Sequence, residues 1–424
     1  MRSRQFCSAA KMIFAISIAL LAASVVDVQP AQAQKFKVLH TFHKSDGFAP
    51  VGALTRDANG NLYGTTSGGG KGLCGGYTCG TAFKLDGTGK QIWLHSFNGK
   101  NGMGPEVGLL RDAAGDLYGT TIEGGDLSCK ELSLGCGTVF KLDKTGRETV
   151  LYKFKGKPDG WAADSPVVMD AAGNLYGTTE HGGSFEFGTI FKLDKSGKET
   201  VLYSFTGGSD GCYPVGVTLD ADGNLYGVAA NGGSEVCSFG GDGVVFKLDT
   251  AGTFSALHTF GGSDGSTPTS TLLLDSRGNL YGTTAYGGSS TSCPFGCGTV
   301  FEVTSDGTES VLYSFCSLRN CTDGEIPAGG PLVRDSRGTL YGTTDEGGTY
   351  RTGCNRGSCG VVFKLDSAGK ETVLHNFSGR ADGGVPVAGL VRDRAGNLYG
   401  TTFQGGDINC EPSYGCGEVF QIIP

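Results

Sequence analysis

The triplet Leu-Tyr-Gly returns seven times, with its tyrosines at Tyr63, Tyr118, Tyr176, Tyr226, Tyr281, Tyr341 and Tyr399. The intervals run from 50 to 60 residues. A period of that length marks one supersecondary unit copied along the chain. Six copies read Leu-Tyr-Gly-Thr-Thr, and the fourth reads Leu-Tyr-Gly-Val-Ala. Each copy holds four short segments rich in β-branched and aromatic residues, bounded by Asp/Gly turns. In the sixth copy these are 331–335, 339–344, 360–366 and 371–377, called a, b, c and d below. Glycine supports the same reading. It makes up 75 of 424 residues, and each glycine inside a helix costs ~1 kcal/mol, so long helices are excluded.

The ends of the chain are offset against the repeat. Residues 36–42 match segment d, and residues 417–423 match segment c. Seven a-b-c sets and seven d segments therefore predict an all-β, seven-bladed β-propeller of four-stranded blades. Strand 36–42 completes the last blade, which closes the ring and removes open sheet edges. The blades are expected at about 51–97, 106–154, 166–205, 214–260, 269–315, 328–377 and 387–424 plus 36–42. An open solenoid would call for capping ends instead.

Residues 1–33 are set apart from this pattern. A basic start (Arg2, Arg4, Lys11), an apolar run at 12–26 and Ala31-Gln32-Ala33 predict a secretory signal peptide cleaved after Ala33. No other stretch is apolar enough to span a bilayer. The net charge of −8, with no basic tract, excludes nucleic acid and anionic membrane surfaces as partners. The mature protein is expected to be secreted, extracellular or periplasmic, and monomeric.

Strands that run in and out place the b–c and d–a loops on one face. On that topology every cysteine after the leader finds a partner: Cys74–Cys79, Cys129–Cys136, Cys212–Cys237, Cys293–Cys297, Cys316–Cys321, Cys354–Cys359 and Cys410–Cys416. Disulfides suit a secreted chain. Zinc is the rival, but the pairs fall on different blades and no single loop carries four ligands.

The stretch Leu-Tyr-Gly-Thr-Thr-x-x-Gly-Gly, followed by Gly-Thr-Val-Phe-Lys-Leu-Asp and Val-Leu-Tyr-Ser-Phe, resembles the GloVer tandem repeat of secreted bacterial choice-of-anchor proteins. The resemblance covers essentially all of residues 36–424 and implies an extracellular propeller without bringing an activity. The chain departs from those proteins in ending inside segment c, where they carry an anchoring segment. A looser likeness to NHL-type propellers rests on Asp-x-x-Gly-Asn-Leu-Tyr and implies fold alone.

Function is sought where the repeat breaks. The d–a loops carry Asp46, Asp159, Asp210, Asp264, Asp323 and Asp382. A ring of carboxylates there would hold a hard cation such as Ca²⁺, and plain turn chemistry is the alternative. No other cofactor is expected. The histidines His40, His95, His258 and His375 share a strand-d slot with Tyr152, Tyr203 and Tyr313, which reads as packing between blades. The two residues after Thr-Thr vary most. Glu180 and His181 stand there beside a loop carrying Trp161, with Glu123 on the next blade. That set suits a sugar site, with Trp161 as platform and Glu180, His181 and Glu123 available for acid–base work. Tyr286, Asp345 and Glu346 occupy equivalent positions. Phe48, Tyr77, Tyr213, Phe239, Phe295, Tyr350 and Tyr414 dot the same face. The expectation is a binding module for polysaccharide first and protein second. A glycan hydrolase or lyase at blade 3 is the alternative, and a structural envelope or matrix protein the third reading.

Overall fold

In the computed structural model the described residues are 34–424, apart from 130, 238–240, 351–352, 355–356, 408 and 411–414. The leader 1–33, Phe239 and Tyr414 lie outside them. Blade 1 pairs Thr55–Arg56, Leu62–Thr66, Thr81–Leu85 and Gln91–Ser96 as an antiparallel a-b-c-d sheet, and six further sheets repeat this order. Together they form a seven-bladed propeller. Lys35–Thr41 pairs with Glu418–Ile423, placing Phe36 opposite Ile422 and Val38 opposite Phe420. The first strand of the fold is thus strand d of the last blade. Among the described residues no helix is long and apolar enough to cross a membrane.

Each letter of Leu-Tyr-Gly-Thr-Thr has its own reason. The leucine fills the core, as Leu62 does. The tyrosine hydroxyl donates to the aspartate that caps the a–b turn, 3.0 Å from Tyr63 to Asp57. The same aspartate accepts from the backbone N–H groups of Asn59 and Asn61, an Asx turn. Asp220-Ala-Asp-Gly-Asn224 is one more such turn, with Asp220 accepting from Asp222 and Asn224. The glycine leaves room for a phenylalanine on strand c: a Cβ on Gly64 would stand 2.5 Å from Phe83 Cζ. The first threonine donates to the next blade, 2.9 Å from Thr65 to the Val107 carbonyl. The second bonds the threonine opening strand c, 2.7 Å between Thr66 and Thr81.

Aromatic rings join the blades. The phenylalanine after each strand d meets, edge to face, the strand-c phenylalanine of the following blade. Phe42 and Phe83 lie 5.1 Å apart and Phe205 and Phe246 5.3 Å. Equivalent pairs occupy all seven seams. Such pairs add ~0.5–1.5 kcal/mol beyond area burial.

Strand a is shorter than its expected five residues. In six blades its paired core is two residues, as in Val333–Arg334, and blades 5 and 6 each add a separate segment, Ser266–Pro268 and Glu325–Pro327. Blade 4 alone runs unbroken, Cys212–Leu219. Its lead-in from Pro214 to Val217 is one residue shorter than Pro50 to Leu54, so a single bulge near Gly216 absorbs the mismatch.

All seven disulfides form as the topology requires. Two pairs from neighbouring loops meet, with Cys293 Sγ 3.7 Å from Cys316 Sγ. Four cysteines thus converge from two loops, although no single loop carries four and both pairs are bonded.

Candidate functional site at the channel mouth

The d–a and b–c loops pair through their backbones on one face. Met103 exchanges hydrogen bonds with Glu123, Trp161 with His181, and Gly384 with Gln404. Of the variable residues after Thr-Thr, Asp345, Phe403 and Gln404 line the central channel, and Ser67, Gly68, Ile122 and Glu123 line a groove beside it.

The channel is a cavity of about 600 Å³ lined by residues of all seven blades. Its walls are largely apolar, with Val51, Val107, Val167, Val215 and Val387, and its polar lining includes Glu106, Asp164, Asp345 and Gln404. A groove of about 390 Å³ opens from it across blades 1 and 2. Glu106 lines both spaces. Phe48, Met103, Ile122, Glu123, Leu73 and Tyr77 carry the groove outward. Its outer end is a small hairpin, Leu73–Cys74 with Tyr77–Thr78, tied by the Cys74–Cys79 bond. The bond holds Tyr77 out at 74% exposure.

Acidic side chains collect here, with Lys44 also lining the groove. Burial, then the charges of Asp164 and Glu123, push Glu106 up to about 7. Burial, then the charge of Glu180, push Asp164 up to about 6. Asp164 is open to the lumen, yet the ring surrounds it, so it has contact with water but little bulk water around it. Desolvation also raises Glu123 and Glu180 and lowers His181.

The residues singled out from sequence are partly dispersed. Glu123 lines the groove, and Glu180 acts on Asp164 electrostatically. Glu180 Oε1 lies 3.6 Å from His181 Nε2. Trp161 and His181 stack on each other at 4.1 Å and 22°, because their backbones are paired. His181 therefore covers one face of the expected platform. Asp345 lines the channel. Glu346 pairs with Glu325, and Tyr286 meets Phe295 edge-on at 6.3 Å.

The loop aspartates serve their own seams. Each bonds the strand-d ring beside it: Asp46 with His40, Asp159 with Tyr152, Asp210 with Tyr203, Asp264 with His258, Asp323 with Tyr313 and Asp382 with His375. Among the described residues no three of these aspartates bring ligand atoms within 4.8 Å of one another. Two sequence features, the aspartates and the His/Tyr slot, are thus the two halves of one contact.

Sequence reasoning passed over Glu106 and Asp164. Both stand three residues before the leucine or valine that precedes strand a. Val51, Thr269, Gly329 and Val387 hold that slot elsewhere, and the shortened blade 4 presents Val215. Acids on two adjacent blades were a legible break in the repeat, one slot away from the positions compared.

A closed seven-bladed β-propeller whose irregular residues collect at one mouth is the class these features define. The chain belongs to the family described as the Gloeobacter/Verrucomicrobia repeat, which matches residues 22–238, 126–355 and 236–420. No curated protein matches the sequence. Among solved structures it is similar to the extracellular domain of a protein assigned as a hybrid two-component system from B. thetaiotaomicron. Identity there is 11%, with 92% of this chain and 41% of that chain covered and a TM-score of 0.52. This chain therefore spans about two fifths of that structure's length, and the likeness shows the propeller fold alone. A gluconolactonase from Xanthomonas campestris matches at 14% identity over 73% of this chain and 82% of that one, TM-score 0.39. A luciferin-regenerating enzyme matches at 14% over 75% and 90%, TM-score 0.42.

Proposed function

We propose that this propeller is an extracellular binding module that takes a polysaccharide chain on the face formed by its b–c and d–a loops. The groove carries the reading: walls of Phe48, Met103 and Tyr77 share it with the carboxylates of Glu106 and Glu123. A sugar ring has a C–H face and a rim of hydroxyls. Aromatic walls suit the first and carboxylate acceptors the second. Seven disulfides support an oxidising, extracellular setting. A second reading, glycan cleavage, is favoured by one observation. Glu106 holds its proton to about 7 beside Glu123, as a general acid does.

The test incubates the purified protein with soluble and insoluble polysaccharides and reads retained protein and new reducing or unsaturated chain ends. Retention without new ends, weakened ~tenfold or more by Tyr77→Ala combined with Glu123→Gln, is the expected result; that loss is worth ~1.4 kcal/mol. New ends that vanish in Glu106→Gln would shift the reading to cleavage. Neither signal would refute both and favour protein partners or a structural role.

A further inference from the structure

The seams between blades hold polar groups that the channel mouth does not use. At each seam a strand-d ring meets the acid or amide of the following loop. A third position, the residue that pairs with the last residue of strand c, opens strand d of the next blade. In three seams that third residue is a glutamate lying against an aspartate: Glu199 with Asp159, Glu309 with Asp264, and Glu371 with Asp323. Each of these glutamates keeps a buried Oε1 with no hydrogen-bond partner. In two of the three seams the ring is a tyrosine. Only between blades 4 and 5 is it a histidine, His258.

There the donor set is complete. His258 Nε2 is 2.9 Å from Asp264 Oδ2, and ligand atoms of His258, Asp264 and Glu309 all lie within 4.8 Å of one another. His258 sits in Phe254–Thr259 and Glu309 in Glu309–Ser314, both regular strands. Asp264 is oriented by the Gly261 N–H on its other oxygen, at 2.8 Å. The His258 ring is braced edge-on against Phe260 at 4.9 Å. Rigid elements and fixed rotamers hold a site closely enough for metal. The side chains of His258 and Asp264 stay 18% and 24% exposed, so an ion has a path in from the rim.

We propose that His258, Asp264 and Glu309 bind one zinc-class divalent cation that clamps blade 4 to blade 5. Two carboxylates and a neutral imidazole balance its charge. Imidazole selects zinc-like ions over Ca²⁺ or Mg²⁺, which favour all-oxygen sites. Three protein ligands leave the fourth position to water, as in open zinc sites. The oxidised cysteines are bonded and do not compete.

The experiment titrates Zn²⁺ into chelator-stripped, oxidised protein by calorimetry, with Ca²⁺ as competitor. One saturable equivalent, undisturbed by excess Ca²⁺ and accompanied by a higher melting midpoint, is expected. His258→Tyr rebuilds the Tyr313/Asp323/Glu371 arrangement that the fold already accepts, and should weaken Zn²⁺ on the order of 100-fold. Glu309→Gln should do the same, and supplies the test if the first variant folds poorly. His40→Tyr, at a seam with Gln91 in the third position, should leave binding unchanged. Absence of saturable binding, survival of full affinity in both site variants, or equal displacement by Ca²⁺ would overturn the proposal.

Discussion

Phe42 directly follows the closing strand Lys35–Thr41, and its loss measures how the circle is sealed. It is 1% exposed and meets Phe83 of blade 1 edge-on at 5.1 Å. Truncating a buried phenylalanine to alanine costs ~3–5 kcal/mol. Unfolding entropy of ~2.1 cal/mol/K per residue over roughly 390 residues is ~0.8 kcal/mol/K, so Phe42→Ala should lower the melting midpoint by ~5 °C. Phe205→Ala is the matched control, fully buried against Phe246 at 5.3 Å in an internal seam. Calorimetry or a circular-dichroism melt should give both variants the same fall within ~2 °C. The closure argument is refuted if Phe205→Ala drops by that amount while Phe42→Ala moves by less than ~1 °C. Two silent variants would refute the aromatic seam itself.

Two further outcomes follow from the same geometry. Burial, then the charge of Asp323, push Glu371 from 4.5 up to about 7. Its stabilising contribution is therefore whole below 4.5 and lost as pH rises through about 7. Discounted for partial exposure, that loss is ~1 kcal/mol. Glu371→Gln should flatten the decline in melting midpoint between roughly pH 5 and 9 by ~1 °C, and an unchanged slope would contradict the assignment. A Cβ on Gly177 would stand 2.7 Å from Phe191 Cζ, whereas the nearest atom to one on Gly208 is 3.6 Å away. Gly177→Ala should cost ~1–3 kcal/mol through overpacking and Gly208→Ala under ~0.5 kcal/mol, so equal melting midpoints would refute this reading of the repeat's glycine.

The fold was legible because it is written seven times. A single Leu-Tyr-Gly is weak, but the offset between residues 36–42 and 417–423 required closure, and Lys35–Thr41 pairs with Glu418–Ile423 accordingly. Cysteine pairing followed from which loops share a face. The site was legible only in part. Glu123 was found because the residues after Thr-Thr were compared across blades. Glu106 and Asp164 escape that comparison because in the d–a loops it follows the six aspartates from Asp46 to Asp382 and not the residues between them and strand a. Trp161 was read as an open platform because sequence does not reveal that its backbone pairs with His181, which brings the imidazole onto its face.

A repeat protein carries its own control experiment, and that gives the two unusual sites their weight. The slot of Glu106 and Asp164 is filled by Val51 and Val387 in blades with the same strand order, so the fold has no need of an acid there. Placing carboxyls at that depth costs desolvation, expressed as the rise of Glu106 to about 7 and Asp164 to about 6. The seam between blades 4 and 5 poses the same contrast. Phe254 stacks on Tyr203 at 4.5 Å and Phe36 on His375 at 3.9 Å in the third position of two other seams, which shows that packing alone is satisfied by an apolar ring. Glu309 keeps an unpartnered buried oxygen in that same position. Glu199 and Glu371 keep the same unpartnered oxygen beside a tyrosine, so what sets the seam between blades 4 and 5 apart is His258, whose imidazole joins Asp264 and Glu309 in one three-ligand group. The polysaccharide proposed for the channel mouth and the metal ion proposed for the seam would each bring a partner to the acids gathered there.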